Sequence, residues 1–556
     1  SGGGVGMVVT YEDLVKYTFR TPVRVAPIDV GGTNVPIESA PFKTLPAQAK
    51  YVLRNSIPVW TAKPVYVSRK NRMRRTTFDP DRPRESIARV PVILTNIRTE
   101  SGQIIDPLEV AIRKLDTVDH ECVYGAERNR ALQLIVGNIP RYPPTSPEVW
   151  PVHDALNGAP SGLTAPIRLH TSAGGLAAAN TKKSGKTDYL VADPVTNELD
   201  FTDKGRTAYI AFKDQLLADA HPAFLQDMHL KVECRPPAKV DIGKVRTTFS
   251  QDVISQTIIR EYLGVFFEAH YADPEIGIGL TPHSREMMSR LMLLRDGGAR
   301  AVAGDIGNHD NTVWSWELHA MHQYMAAWFD YHYPKSRHKR VRDMIMQEYF
   351  SWCVQIGEYV YISTYRITSG KPYTSMLGSL LTRFKLVKAG LTILRREHPD
   401  IYLAINTYDD WLKVFRCITY GDDFVAGDIS GVITNKRLQK IFADEGHELT
   451  DPDKGSEMPD YYSWDAVRFL KRCYTPFHDH PSPGIMLAPL PEDVVDSIPY
   501  YYEPDSRRPA DILREKMESA LSEWLHFGRA KYDQMRDIYN AHLISIGERP
   551  ISTNYA

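Results

Sequence analysis

The chain has 556 residues, 43% hydrophobic and 24% charged, the balance of a soluble globular protein with more than one core, which excludes large-scale disorder. With 67 basic against 68 acidic residues, no global field marks a polyanionic partner, although a carboxylate centre would mask a local basic channel in that total. The five cysteines, Cys122, Cys234, Cys353, Cys417 and Cys473, are scattered, which excludes a disulfide framework or zinc spacing; no apolar run nears the roughly 20 residues of a membrane span, and no signal-peptide core opens the sequence.

In chain order, the first 160 residues are rich in proline and β-branched residues and read as extended segments and loops, not regular helices. Their basic stretch from Ser68 to Arg84 (Lys70, Arg72, Arg74, Arg75, Arg82, Arg84) reads by itself as a solvated surface loop. A loop rich in Gly, Ser, Ala and Lys follows from Pro160 to Lys186. Within it Gly185-Lys186-Thr187 imitates the end of a phosphate-binding P-loop, but Asn180 stands where the first glycine is required. Val253 to Thr281 is mixed and substantially apolar, and Arg285 to Leu294 reads as a short helix. A strand-like run, Ala301 to Gly304, ends on Asp305. Apolar residues at three- and four-residue steps predict helices over Thr312 to Tyr333 and Tyr373 to Ala389, with a short extended run, Tyr359 to Thr364, between them. Val414 to Ala426 reads as two short strands around a Gly-Asp-Asp turn. Pro509 to Leu543 is charged and helical by period. His447 and the pair His478 and His480 lack metal-ligand company and read as surface or packing residues. The fold class is α+β.

The chemistry gathers on carboxylates. A turn at Tyr420-Gly421-Asp422-Asp423 would push both aspartates out at one sheet edge, where adjacent carboxylates repel unless cations neutralise them. Magnesium prefers hard oxygen ligands and keeps several waters, so a few carboxylates plus substrate phosphates suit it. Asp305, at the end of a neighbouring strand, would complete a two-metal site. Asp310, Ser369 and Thr374 lie near helix starts, where such residue types also serve as caps.

These residues form an ordered pattern: Asp305 and Asp310, then Ser369, Gly370 and Thr374, then Tyr420 to Asp423. It resembles the motifs of viral RNA-dependent RNA polymerases, the picornavirus-like group of positive-strand RNA viruses in particular. Further segments resemble that group in order. Thr171-Ser172-Ala173-Gly174 with Lys182-Lys183 is similar to its template-entry loop. Lys231 to Arg235, Lys239 and Gly243 to Arg246 are similar to its basic fingertip motif. Leu449 to Lys454 is similar to the segment bearing a mobile lysine, and Phe469 to Arg472 to the primer-gripping turn.

The resemblance implies RNA-templated RNA synthesis for viral genome replication and transcription. Asp305, Asp422 and Asp423 would hold two magnesium ions, with manganese as a substitute. Asp310, Ser369 and Thr374 would sense the ribose 2′-hydroxyl. Lys231, Arg235, Lys239 and Arg246 would receive the triphosphate, and Lys454 would protonate the departing pyrophosphate. Thr171, Ser172, Gly174, Lys471 and Arg472 would contact RNA. One departure stands out: one turn after Thr374 the group carries asparagine, and here the residue is Gly378. A small residue there also occurs in some polymerases of double-stranded RNA viruses, which keeps such a polymerase as an alternative.

The implied architecture is a closed right hand with an antiparallel palm sheet flanked by helices. Fingers would take residues 1–255, with a connection to the thumb, and 319–368; palm 256–318 and 369–468; thumb 469–556. Implied partners are template and product RNA, ribonucleoside triphosphates, a protein primer and other viral replication proteins, in replication complexes of the host-cell cytoplasm. Reverse transcriptases share a Tyr-x-Asp-Asp turn but place a bulky aromatic where Asp310 offers an acceptor, which favours RNA products. A non-catalytic viral RNA-binding protein, with the carboxylates as plain turn residues, predicts no magnesium dependence.

Overall fold

The computed structural model describes residue 7 and residues 9–17, 56–65, 67–115, 117–179, 181, 183, 185–218, 224–363, 365–453, 457–477, 480, 482 and 485–555. Lys182, Lys454 and His478 lie outside them.

A four-stranded antiparallel sheet forms the centre. Its strands run in the order Phe415–Tyr420, Asp423–Asp428, Arg300–Gly307, Glu448–Thr450. The first two are a hairpin whose two-residue loop is Gly421 and Asp422, because Tyr420 pairs with Asp423. Gly421 has φ +61°, a left-handed conformation at the first loop position that glycine adopts without steric cost. Small residues recur on the inner strands (Ala301, Ala303, Gly304, Ala426, Gly427), and the Leu294 carbonyl presses directly on Gly427. Arg285–Leu294 packs one face with Met287, Met288 and Leu291, against Ala301, Ala303, Ile418 and Val425. The other face meets the main core, built from the helices Val253–His270, Ser315–His332 and Thr374–Glu397. Val253–His270 and Thr374–Glu397 are buried nearly all round, as befits helices at the middle of a large domain.

A second four-stranded sheet takes strands from distant parts of the chain, in the order Ser56–Val65, Trp352–Ser363, Gln226–Leu230, Thr247–Gln251. The C-terminal part is a helical unit, Pro509–Trp524 and Arg529–Ser545, broken at Gly528 (φ +97°).

Several sequence expectations hold. The short helix falls on Arg285–Leu294 as read, and the hairpin flanks its turn as read. Others are corrected. The first 160 residues contain regular helices, Pro107–Arg113, Gly125–Val136 and Val152–Asn157; their core contacts come from remote segments, which outweigh weak local signals. The helix expected to end at Ala389 continues to Glu397. The basic stretch is no free surface loop. Arg74 and Arg75 pair with Tyr502 and Tyr501 as a short antiparallel ladder, and Thr76 N–H donates to the Tyr500 carbonyl at 2.9 Å. Phe78 packs edge-on to Tyr539, Arg82 bridges to Asp496 at 2.6 Å, and the Arg75 guanidinium lies over the Tyr500 and Tyr501 rings. These arginines are thus a strap joining the N-terminal third to the C-terminal helical unit. Among the described residues, no helix is long and apolar enough to cross a membrane.

Candidate active site

The sheet register brings the three predicted carboxylates together. Asp305 is the direct cross-strand partner of Asp423, and Asp422 occupies the adjoining loop. The Asp422 carboxyl meets that of Asp305 as a hydrogen-bonding partner. Burial, and then the Asp305 carboxylate, push Asp422 up to about 8. Burial pushes Asp423 up to about 7, with the Leu470 N–H opposing and Asp305 assisting. Asp423 Oδ2 accepts from Leu470 N–H at 2.8 Å, whereas Oδ1 is buried with no hydrogen-bond partner. An orphaned buried carboxylate oxygen beside two mutually repelling carboxylates fits a divalent cation. Among the described residues no group of three or more Asp, Glu, His or Cys side chains is arranged to hold a metal ion by itself.

The helix Thr374–Glu397 fixes the turn. Ser379 Oγ accepts from Gly421 N–H at 2.9 Å, Thr382 Oγ1 donates to the Gly421 carbonyl at 2.6 Å, and Thr419 Oγ1 donates to the Ser379 carbonyl at 3.0 Å. Ser379 and Thr382 escaped the sequence reading. Their spacing along one helix face was the available signal, but hydroxyls there also bond their own helix.

A cavity of about 520 Å³ opens in front of the carboxylates. It gathers Asp310, Ser369, Thr374 and Asp422 with Lys231 and Arg246. Arg235 and Lys239 do not line it. Glu233 organises the basic group: Arg246 grips it with two nitrogens, Lys231 lies at 3.5 Å and Arg235 at 3.9 Å. Arg235 also donates to the Lys244 carbonyl at 2.7 Å.

Ser369 faces the cavity from a loop where Gly370 presses on the neighbouring strand. A Cβ at Gly370 would stand 1.5 Å from the Phe249 carbonyl oxygen, so only glycine fits. Thr374 Oγ1 donates to the Thr368 and Lys371 carbonyls, both at 2.7 Å, and thus serves its own loop. The Asp310 carbonyl accepts from Ile367 N–H at 2.9 Å, tying the two cavity walls together. Asn308, Tyr373, Leu470 and Lys471 are non-glycine residues with positive φ; all four adjoin the cavity or the carboxylates, where backbone strain concentrates at functional sites.

The remaining predicted residues lie outside this cavity. Thr171 Oγ1 donates to the Arg168 carbonyl at 2.9 Å, and Ser172 Oγ accepts from Gly174 N–H at 3.2 Å. Lys186, the false P-loop lysine, is buried and donates to the Arg168 and Thr171 carbonyls at 3.0 and 3.2 Å, holding that loop. Arg472 is buried, with its guanidinium on Glu523 at 2.8 and 2.9 Å. Its neighbour Leu470 reaches Asp423 from the same tight turn.

A buried charge network under the site was also missed. Lys385 Nζ lies 3.1 Å from Glu317, both fully buried, and Glu317 also meets His447 Nε2 at 3.0 Å and Trp314 N–H at 2.9 Å. His447 is therefore a packing residue, as its isolation in sequence implied.

The raised carboxyl pKa values give a prediction. Native Asp422 and Asp423 hold protons that an unfolded chain releases from about pH 4 upward, so without metal their contribution to stability falls as pH rises toward 8. A cation bound there would have to displace those protons. The Mg²⁺ concentration for half-maximal activity should rise as pH drops from 8.5 to 6.5, by up to about tenfold per pH unit per displaced proton. Mg²⁺ should also raise the melting temperature more at pH 8.5 than at pH 6. A half-saturation that does not move with pH would contradict this coupling.

Comparison with known proteins gives a consistent result. The family described as viral RNA-dependent RNA polymerase matches residues 166–543, well over half of the chain. The replicase polyprotein of Drosophila C virus (strain EB) is 23% identical over 362 residues, covering 61% of this chain and 20% of its own length. That of Cricket paralysis virus is 22% identical over 479 residues, covering 80% of this chain and 26% of its own length. The chain thus spans about a fifth to a quarter of these curated relatives. Among solved structures, the Sicinivirus 3Dpol RNA dependent RNA polymerase superposes with a TM-score of 0.70 at 20% identity, covering 89% of this chain and 95% of that one. At that identity the likeness speaks for the fold.

Proposed function

The chain belongs to the viral RNA-dependent RNA polymerase family, and on that premise we propose that Asp305, Asp422 and Asp423 are the catalytic metal ligands of its RNA-templated RNA synthesis. The observation that carries the assignment is the register that sets Asp305 against Asp423 with Asp422 between them, at the mouth of a cavity holding Asp310, Ser369, Lys231 and Arg246. Its right-hand fold and its relatives keep it with the picornavirus-like group.

Family membership implies divalent metal ions, and two magnesium ions are our assignment. When bound, they supply charge neutralisation for the triphosphate and a more acidic primer 3′-hydroxyl. The chain's own residues do the rest. Lys231 and Arg246 attract the triphosphate, and Asp310 accepts from the ribose 2′-hydroxyl. Asp305 and Asp422 would hold those ions. The 3′-oxygen bonds to the α-phosphorus as the bond to pyrophosphate breaks; the 3′-hydroxyl proton passes to solvent water, and Lys454 gives a proton to pyrophosphate. Arg472, whose guanidinium Glu523 holds, acts by shaping its turn, with Lys471 beside the RNA. Thr171, Ser172 and Gly174 sit at the template entry.

We assign fingers to 1–255 and 319–368, palm to 256–318 and 369–468, and thumb to 469–556. The sheet that joins 226–230 and 247–251 to 352–363 supports the grouping of the two finger segments, and the Arg74–Tyr502 ladder supports the finger-to-thumb connection. Template and product RNA, ribonucleoside triphosphates, a protein primer and other replication proteins are the proposed partners, in replication complexes of the host cytoplasm.

The test is extension of a primer on a homopolymer RNA template. Incorporation should require Mg²⁺ and ribonucleotides, with the deoxy forms used at least about tenfold less well, the scale set by losing one hydrogen bond to a charged acceptor. Equal use of both sugars would remove the role given to Asp310.

A further inference from the structure

Asp310 has a neighbour that the proposed chemistry does not use. At Asn308 the chain takes a left-handed turn (φ +48°) just before the two residues. Both line the cavity, but Asp310 has 42% of its side chain exposed and His309, set deeper in the wall, only 5%. The His309 Nε2 atom is buried without a hydrogen-bond partner, and Nδ1 stands 3.8 Å from Asp310 Oδ1. The ring lies opposite Gly378, one of the two glycines of the long helix. A Cβ built on Gly378 would lie 3.9 Å from His309 Cε1 and 3.4 Å from Gly421 Cα. A single carbon therefore fits, and a longer side chain collides with the imidazole or the Gly421 turn.

From this geometry we infer that His309 takes up the room left by Gly378 and positions the Asp310 carboxylate for the nucleotide 2′-hydroxyl, making the His309–Gly378 pair a determinant of ribose over deoxyribose selection. The inference rests on the reading of Asp310 given above. Thr374 does not compete for the task, because its one hydroxyl proton serves the Thr368 and Lys371 carbonyls. Burial, together with the nearby Lys385 charge, holds His309 below the usual histidine range, so the ring is neutral. With the proton on Nδ1 it is a donor toward Asp310, and the gap closes to hydrogen-bond length with a movement of roughly 1 Å. Asn308 anchors the turn, donating from Nδ2 to the Lys114 carbonyl at 3.1 Å and accepting from Asn311 Nδ2 at 2.9 Å. His309 is on this account a positioning residue, acting through Asp310.

The experiment measures kcat/KM for single incorporation of a ribonucleotide and of its 2′-deoxy form by the full chain on a primed RNA template. His309→Phe keeps a ring and removes the donor; the ribo-to-deoxy ratio should fall about tenfold, as expected for loss of a hydrogen bond to a charged group, through the ribonucleotide alone. His309→Gln restores an N–H donor and should recover part of the ratio. In an Asp310→Ala background, His309→Phe should change the ratio no further. If His309→Phe does not fold, Gly378→Asn should lower the ratio by crowding the ring, and His309→Ala combined with Gly378→Asn should raise it again. An unchanged ratio in His309→Phe, equal losses for both sugars, or a further drop in the Asp310→Ala background would overturn the inference. A wild-type chain that incorporates no ribonucleotide would instead sink the polymerase reading itself.

Discussion

Asp422→Asn should lower ribonucleotide incorporation by about 10³-fold or more, the scale of removing one electrostatic contact that is strongest in the transition state, without loss of fold. The two halves of that expectation come from one observation. Asp422 sits where burial and the Asp305 carboxylate penalise its charge, a penalty that a held proton or a bound cation relieves. An asparagine keeps the shape, and the helix still holds Gly421 through Ser379 and Thr382. Without metal the variant should therefore melt at the same temperature as the wild type or above it, and it should lose the gain that Mg²⁺ gives the wild type at pH 8.5. Activity measured beside melting curves with and without Mg²⁺ separates this outcome from unfolding. Full activity in the variant would remove Asp422 from the metal site.

The second large effect concerns stability. Lys385→Met should destabilise the protein by about 3–5 kcal/mol, because it leaves the Glu317 carboxylate buried without its counter-charge. Burial alone would raise the Glu317 pKa, but Lys385, His447 and the Trp314 N–H outweigh it and hold Glu317 down to about 2. The sign follows from linkage. A depressed carboxyl contributes stability that is fully present above about pH 4.5 and is lost as pH falls toward 2. The deficit of Lys385→Met should accordingly be largest near neutral pH and shrink below about pH 4.5. Adding Glu317→Gln should recover most of the loss, since it removes the stranded charge. Urea unfolding at pH 7 and pH 4 measures all of this; a neutral Lys385→Met, or a double variant no better than the single one, would show that the ion pair does not support the core.

The hairpin that carries Asp422 and Asp423 was legible in the sequence because its cues are local. Apolar runs flank a glycine that must take positive φ, and acidic residues crowd a turn where structure alone has no use for two. Asp305 was legible as the end of a short apolar run, and the register confirms it as the cross-strand partner of Asp423. What escaped was long-range. Arg383, Lys385 and Lys388 carry charge on the helix Thr374–Glu397 and look like a solvated face, yet each is buried on a partner far away in sequence: Asp273, Glu317 and Glu445. The arginines near Arg75 read as loop for the same reason, since the tyrosines and aspartate that receive them come more than 400 residues later. Gly378 was visible as a departure, but only the fold shows an imidazole filling the space beside it.

The most direct test is the position of bound cations in crystals of the full chain with primed RNA, an incoming ribonucleotide and Mn²⁺, located by anomalous scattering. Two peaks at about 2.1 Å from carboxylate oxygens of Asp305 and Asp422, with Asp423 at or beside the second, are the predicted result. Peaks away from these aspartates while the crystals still extend the primer would contradict the assignment.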